Sequence, residues 1–264
     1  MSLKTFAKSL YRTGSLDFAR NARRPGPERA VRVGGHALHY RPGTDDVINV
    51  EKILFRGERA EYRVPQALDP AVIVDAGANI GAATLYFRSL WPRARVVCVE
   101  ASADNLDLLK RNTAHLANVE ILHAGLAGSD GWLALNAPPE GRMVGSFTVT
   151  RVDEQPPGGA LEALGMPTLM ARTGIDAIDL LKIDIEGSEY DVLMQCPDDI
   201  LARIGWIVGE MHGRGDFEIL ARLARWFDLD VRKTLHKTHF KFNACNKAHT
   251  RRLVAGFNVR RLQA

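Results

Sequence analysis

The sequence predicts an α/β protein built on a doubly wound, mostly parallel sheet with a small N-terminal cap. Two observations carry that expectation. From about Ala71 onward short apolar runs alternate with amphipathic segments, the signature of βαβ units. The first run, AVIVD (71–75), passes directly into a glycine-containing turn, AGANIG, which opens a helical pattern, as ligand-binding turns of doubly wound sheets do.

Residues 1–70 contain few large apolar side chains and are expected to cap the core rather than fold alone; residues 71–264 form the main domain. Within the cap, VRVGGHALHYRPG reads as a hairpin around Gly34 and Gly35, and VINVEKILFRGERAEYRVPQAL as partly helical. After the first strand, Ile80, Ala83, Thr84, Phe87 and Trp91 fall at helical spacing until Pro92 stops the helix. RVVCVE (95–100) is the second strand. Ser102 stands where it can cap the next helix, whose face is marked by Leu106, Leu109, Asn112, Thr113 and Leu116. VEILHAG (119–125) is the third strand and WLAL (132–135) a further short one. The stretch 136–178, rich in Pro and Gly, reads as irregular and as the place for a lid, with Ser146 set to touch a polar acceptor. AIDLLKID (177–184) is a buried strand, GSEYDVLMQ starts a helix, and IGWIVGE (204–210) is another strand. In the following helix Phe217, Leu220, Leu223 and Phe227 share one face, and the tail reads as two or three strands.

Composition is that of a globular protein, 46% hydrophobic and 25% charged over 264 residues, which excludes disordered and collagen-like classes. No apolar run approaches the ~20 residues of a membrane span, and MSLKTFAKSLYRTG lacks the apolar region of a secretory signal, so a cytoplasmic location is expected. Cys98, Cys196 and Cys245 have no metal-type spacing and read as free thiols. The net charge of +4 hides an asymmetry. Residues 1–41 hold nine Lys or Arg against two acids, and residues 232–264 hold nine and no acid, leaving 17 basic residues against 29 acids between them. Basic ends suit a peripheral contact with a membrane or other anionic surface, or are plain solvated charge. They lack interleaved aromatics, so no stable nucleic-acid partner is expected.

The turn Asp75-Ala-Gly77-Ala-Asn79-Ile-Gly81 departs from a dinucleotide fingerprint, which needs glycine where Asn79 stands so that the backbone can approach a pyrophosphate. Acids end the first two strands, Asp75 and Glu100, and Glu100 follows Gly81 at the distance expected of a ribose-binding acid. A ligand with a cationic end, a ribose and no phosphate fits that pattern, and S-adenosylmethionine has all three features.

VDAGANIG, the VE that ends the second strand, Asn105 in the next helix and above all LLKIDIEGSEYDVL resemble the FkbM family of S-adenosylmethionine-dependent methyltransferases. The likeness runs over about residues 50–212, from FRGERAEY to GEMHG, with Ala101 where the family commonly has proline. It implies a class I methyltransferase fold, Rossmann-like, with a seven-stranded sheet containing one antiparallel strand. It also implies methyl transfer to a hydroxyl of a sugar, glycolipid or natural product. The cofactor-side residues are then Asp75, Gly77, Asn79, Gly81, Glu100, Ala101 and Asn105.

In such a sheet Asp75, Glu100, Asp184 and Glu210 converge on one mouth. Strand alternation sends Lys182, Asp184 and Glu186 to one side and Ile183 and Ile185 to the other. Methyl transfer needs the acceptor hydroxyl oriented and its proton removed. His212 in GEMHG is the preferred base because imidazole titrates nearest neutrality; Asp184 competes, and Lys182 orients either. Glu186, Glu210 and Ser146 are placed at the acceptor. Plainer readings stand beside these: Lys182 as half of a buried ion pair with Asp184 or Glu186, His212 as an ordinary loop histidine, and Glu189 as a structural helix-start acid. Asp184, Glu210 and His212 also make an oxygen-and-imidazole donor set that suits several divalent ions, a secondary reading, whereas His236, His239 and His249 lack zinc-type spacing. The rival functions are an RNA methyltransferase and an inactive cofactor-binding scaffold.

Overall fold

Positive φ at Gly34 and Gly35 turns the first hairpin, so that Val33 pairs with His36. The computed structural model describes residues 3–136, 148–152, 161–213, 215–232 and 239–248. Helices α1 (Leu3–Thr13) and α2 (Leu16–Asn21) precede the hairpin of β1 (Arg29–Val33) and β2 (His36–Tyr40), and α3 (Asp45–Leu54) follows it. Thr44 caps α3 by accepting from the Asp46 amide. These elements lie on the larger unit: α3 against the next helix, α4 (Ala82–Leu90), and β2 against α5 (Ala103–Thr113). Phe18, Leu38, Tyr40 and Val50 form one apolar cluster with Ile80, Leu85 and Leu108.

The main sheet begins with β3 (Val72–Ala76), β4 (Arg95–Glu100) and β5 (Val119–His123), with α4 and α5 between them. The chain then builds a second, four-stranded sheet from β6 (Gly125–Leu126), β7 (Gly131–Asn136), β8 (Thr148–Val152) and β9 (Leu161–Leu164), ordered β6-β9-β7-β8. After α6 (Met166–Thr173) it returns through β10 (Ile178–Ile183), α7 (Glu189–Gln195), α8 (Asp198–Leu201), β11 (Ile204–Met211), α9 (Asp216–Leu223), β12 (Phe227–Arg232) and β13 (Phe240–Asn246). The main sheet has seven strands in the order β12-β13-β11-β10-β3-β4-β5. From β5 to β11 neighbours are parallel, and β13 alone runs against its neighbours. Strand order reverses between β3 and β10, which opens a crevice at their carboxyl ends. Apolar clusters cover both faces, with Leu181 and Ile183 on one side and Leu180 and Ile73 on the other.

Two expectations change. WLAL lies in the second sheet, and the stretch read as irregular contains β8, β9 and α6, because its Pro and Gly clusters punctuate short strands instead of replacing them. The helix face at 217–227 is also different. The α9 helix ends at Leu223 and buries Ile219 and Leu223, Phe217 is 76% exposed, and Phe227 instead opens the edge strand β12 and is itself buried in the core cluster. Ser102 occupies the N-cap of α5 without making a side-chain cap bond. Ser146 and the basic tail beyond residue 248 lie outside the described residues. Among the described residues no helix is long and apolar enough to cross a membrane.

Candidate active site

The turn after β3 is shaped by how closely β10 approaches it. Gly77 has φ +74°, and a Cβ there would lie 2.0 Å from the Asp184 carbonyl oxygen. Its amide donates to the Val99 carbonyl at 2.9 Å, which ties the turn to β4. Asn79 takes the left-handed conformation at φ +50°, one that asparagine tolerates better than most residues, and its Oδ1 accepts from the Ile80 amide at 2.7 Å. Gly81, at φ +90°, starts α4 against Leu109.

Glu100 organises the other side of this turn. Its carboxylate accepts from the Asn79 amide at 2.7 Å, the Ser102 amide at 2.9 Å and Asn105 Nδ2 at 3.1 Å. A carboxylate has about four lone-pair sites, so one remains for a ligand hydroxyl. Asn105 is itself held through Oδ1 by Arg41 Nη2 at 2.6 Å, and Arg41 grips the fully buried Asp46 with two bonds of 2.8 Å. Arg41 thus anchors the N-terminal segment to the Glu100 side of the cavity.

The charged end of β10 departs from the expected pattern. The strand stops at Ile183, so Asp184 and Glu186 reach the cleft through a turn rather than by strand alternation, with Glu186 at φ +55°. Lys182 is buried in the cavity wall with its ammonium turned toward the end of β3. Its Nζ donates to the carbonyls of Ala76 at 3.0 Å and Gly77 at 2.6 Å, lies 3.3 Å from Asp75 Oδ1, and sits 5.2 Å from the centre of the Tyr62 ring. Its two hydrogen bonds therefore go to carbonyls at and just after the end of β3, and the ion pair it makes is with Asp75, not with Asp184 or Glu186. Asp75 is fully buried and does not line the cavity; its other oxygen accepts from Thr84 at 2.7 Å. The expectation that it meets the cofactor directly is corrected: it holds Lys182 and α4 in place behind the turn.

Asp184, Glu210 and His212 come together. One ligand-type atom from each lies within 4.8 Å of the others. Tyr62 donates its hydroxyl to Asp184 Oδ2, while Oδ1 is shielded from solvent, has no hydrogen-bond donor, and lies 3.9 Å from His212 Nε2. Glu189, 2% exposed, accepts from the amides of Ile185 and Gly187 and bonds His212 Nδ1 at 3.1 Å, which leaves Nε2 toward Asp184 and Glu186. Burial pulls the His212 pKa down, but the bond to Glu189 and the charges of Glu189, Asp184 and Glu186 outweigh it and raise the value to about 9. At neutral pH the ring in this free site holds its proton, so it is not a ready base. Burial, and then the charge of Asp184, also raises the Glu186 pKa.

Sequence spacing missed two contributors. His239 pairs with Glu210 at 3.1 Å because antiparallel pairing sets Phe240 beside Met211, a relation that zinc-type spacing does not detect. Tyr62 lies in FRGERAEY, whose motif character was the available signal.

These groups line one cavity of about 440 Å3, within the usual ~300–1,000 Å3 of small-molecule sites. Its lining includes Gly77, Asn79, Glu100, Ala101 and Asn105 from the turn after β3, the end of β4 and the start of α5, and Asp184, Glu186, Glu210, His212 and His239 from beyond β10 and around β11. The α3 residues Asp45, Asn49 and Lys52 close one wall.

The sequence profile described as the methyltransferase FkbM domain matches residues 75–242. The chain belongs to the FkbM methyltransferase family. Among curated relatives of this FkbM-family chain, Methyltransferase 1 of Beauveria bassiana is 29% identical over 178 residues, covering 59% of this chain and 71% of the relative. Methyltransferase sdnD of Sordaria araneosa is 32% identical over 151 residues, covering 46% and 58%. The AMB antimetabolite synthetase AmbE of Pseudomonas aeruginosa is 30% identical over 197 residues, covering 60% of this chain and 9% of its own length. Among solved structures, a fibrillarin/Nop5p complex has a TM-score of 0.50 at 13% identity, covering 82% of this chain and 93% of the other, and shows the fold alone. Methyltransferase FkbM from Methylobacillus flagellatus has a TM-score of 0.49 at 16% identity, covering 70% and 48%. The seven-stranded order with one reversed strand is that of class I, Rossmann-like methyltransferases. Family membership implies use of S-adenosylmethionine in general.

Proposed function

We propose that the protein transfers a methyl group from S-adenosylmethionine to a hydroxyl of a sugar, glycolipid or natural-product metabolite. The observation that carries the reading is the gathering of Asp184, Glu210 and His212 in the same cavity as the glycine turn and Glu100. The Glu100 side of that cavity fits the ligand. Gly77 and Asn79 line the cavity beside Glu100, which keeps a lone pair for a ribose hydroxyl. When bound, S-adenosylmethionine supplies an activated methyl group.

The chain's own residues do the rest. Asn79, Glu100, Ala101 and Asn105 hold the nucleoside side, and Lys182 and Asp75 fix the turn from behind. Asp184, steadied by Tyr62, acts with Glu210 and His212 as a unit that orients the acceptor hydroxyl and receives its proton; Glu186 contacts the acceptor from the rim. Orientation of this kind is worth several kcal/mol, and a positioned base roughly 10²–10⁴-fold. Glu100 apart, the cavity lining is acidic on balance, with Asp45, Glu61, Asp184, Glu186 and Glu210 against Lys52, Lys182 and the protonated His212. That balance favours a neutral hydroxylated molecule over a phosphate backbone and speaks against an RNA acceptor.

The test uses S-adenosylmethionine labelled in its methyl group, incubated with metabolite extracts and the full chain. Label is expected in hydroxylated small molecules. Asp184→Asn is expected to lower transfer roughly 10²-fold or more while S-adenosylhomocysteine still binds. Label entering only RNA, or undiminished transfer by the variant, refutes the reading.

A further inference from the structure

At one corner of the cavity carboxylates crowd the His212 imidazole. Asp184, Glu189, Glu186 and Glu210 surround it and His239, while the nearby Lys182 ammonium is turned toward Asp75 and the carbonyls of Ala76 and Gly77. The donors come from three places: the turn after β10, the end of β11 and the residue just beyond it.

We propose that Asp184, Glu210 and His212 bind a divalent first-row metal ion, with Mn²⁺ as its representative. The inference rests on the acceptor site assigned above and states how that site grips its hydroxyl. Two carboxylates and one imidazole suit such ions better than calcium, which takes oxygen ligands. Ligand bonds of ~2.1 Å place donor atoms about 3–4.2 Å apart on a common ion. The three atoms here lie within 4.8 Å, so side-chain adjustments of less than ~1 Å close the set.

Two further observations point to the same centre. Asp184 Oδ1 is shielded from solvent with no hydrogen-bond donor, and its other oxygen is fixed by Tyr62. His212 is held at Nδ1 by the buried Glu189 carboxylate, which presents Nε2 to the centre, the outer support that metal-binding histidines commonly have. Glu189 is in turn locked by two backbone amides, so the imidazole is aimed before any ion arrives. Three protein donors leave positions for water and for an acceptor hydroxyl, whose proton a bound cation makes easier to remove.

The full chain is stripped with EDTA, desalted and titrated with MnCl₂ while the paramagnetic resonance signal of free aqueous Mn²⁺ is followed. One saturable Mn²⁺ per chain is expected. Binding should be lost in Asp184→Asn and Glu210→Gln and weakened roughly 10–100-fold in Glu189→Gln, the positioning residue. Retained S-adenosylhomocysteine binding shows that each variant is folded. A Mn²⁺ signal unchanged by excess wild-type chain, or binding that survives in Asp184→Asn and Glu210→Gln, overturns the proposal. Methyl transfer that persists in EDTA without Mn²⁺ binding removes the ion and keeps the transfer reading. Bound Mn²⁺ with no labelled acceptor removes the transfer reading and keeps the ion.

Discussion

Replacing Gly77 by alanine tests whether the contact between the ends of β3 and β10 shapes both halves of the cavity. Two costs can be read from the geometry. An alanine at φ +74° carries about 1–2 kcal/mol of left-handed strain. Its Cβ would also stand 2.0 Å from the Asp184 carbonyl oxygen and 3.0 Å from the attached carbon. Those are backbone atoms, so no side chain can swing aside. The strands must part instead, where Ala76 pairs with Ile183 and where Lys182 bonds the Gly77 carbonyl. Overpacking of this sort costs about 1–3 kcal/mol, for a total of about 2–5 kcal/mol. Gly174 provides the control. It has φ +63° with nothing within 4 Å of an added Cβ, so Gly174→Ala should lose only the backbone part, about 1–2 kcal/mol. Each kcal/mol corresponds to about 2–4 °C in Tm for a domain near this size. Thermal unfolding of both variants measures the difference, and calorimetry with S-adenosylhomocysteine should show weakened binding for Gly77→Ala alone. A Gly77→Ala protein as stable as Gly174→Ala, with wild-type ligand affinity, would refute the reasoning.

Two other substitutions separate holding the cofactor from holding the fold. Glu100→Gln puts an amide where three N–H donors now meet a carboxylate, a mismatch worth about 1–3 kcal/mol, so the Kd for S-adenosylhomocysteine should rise roughly 5- to 150-fold by calorimetry. An unchanged Kd removes Glu100 from the ligand site. Lys182→Met leaves the buried Asp75 carboxylate without its cation, and denaturant unfolding should show a loss of about 3–5 kcal/mol. A loss below about 1 kcal/mol would show that this pair does not secure the turn.

The sequence by itself determined the elements whose signal is local. AVIVD and RVVCVE are apolar runs, AGANIG joins strand to helix, and the acid at Glu100 ends its strand, so the βαβ unit around the glycine turn was legible before any coordinates. The cluster of Asp184, Glu210 and His212 was also within reach, because parallel strands bring their carboxyl ends to one crevice.

Direction and partnership were decided only by tertiary structure. Strand alternation pointed Lys182 and Asp184 at the same ligand, yet the strand stops at Ile183, and Lys182 turns back to Asp75 and two carbonyls exposed by the end of β3. His239 joins Glu210 through antiparallel pairing, and Tyr62 reaches Asp184 from a segment 122 residues away. The difference is physical. Periodicity reports which residues a strand or helix buries, whereas a charged side chain settles on whichever partner offsets its desolvation, and that partner is supplied by distant parts of the chain.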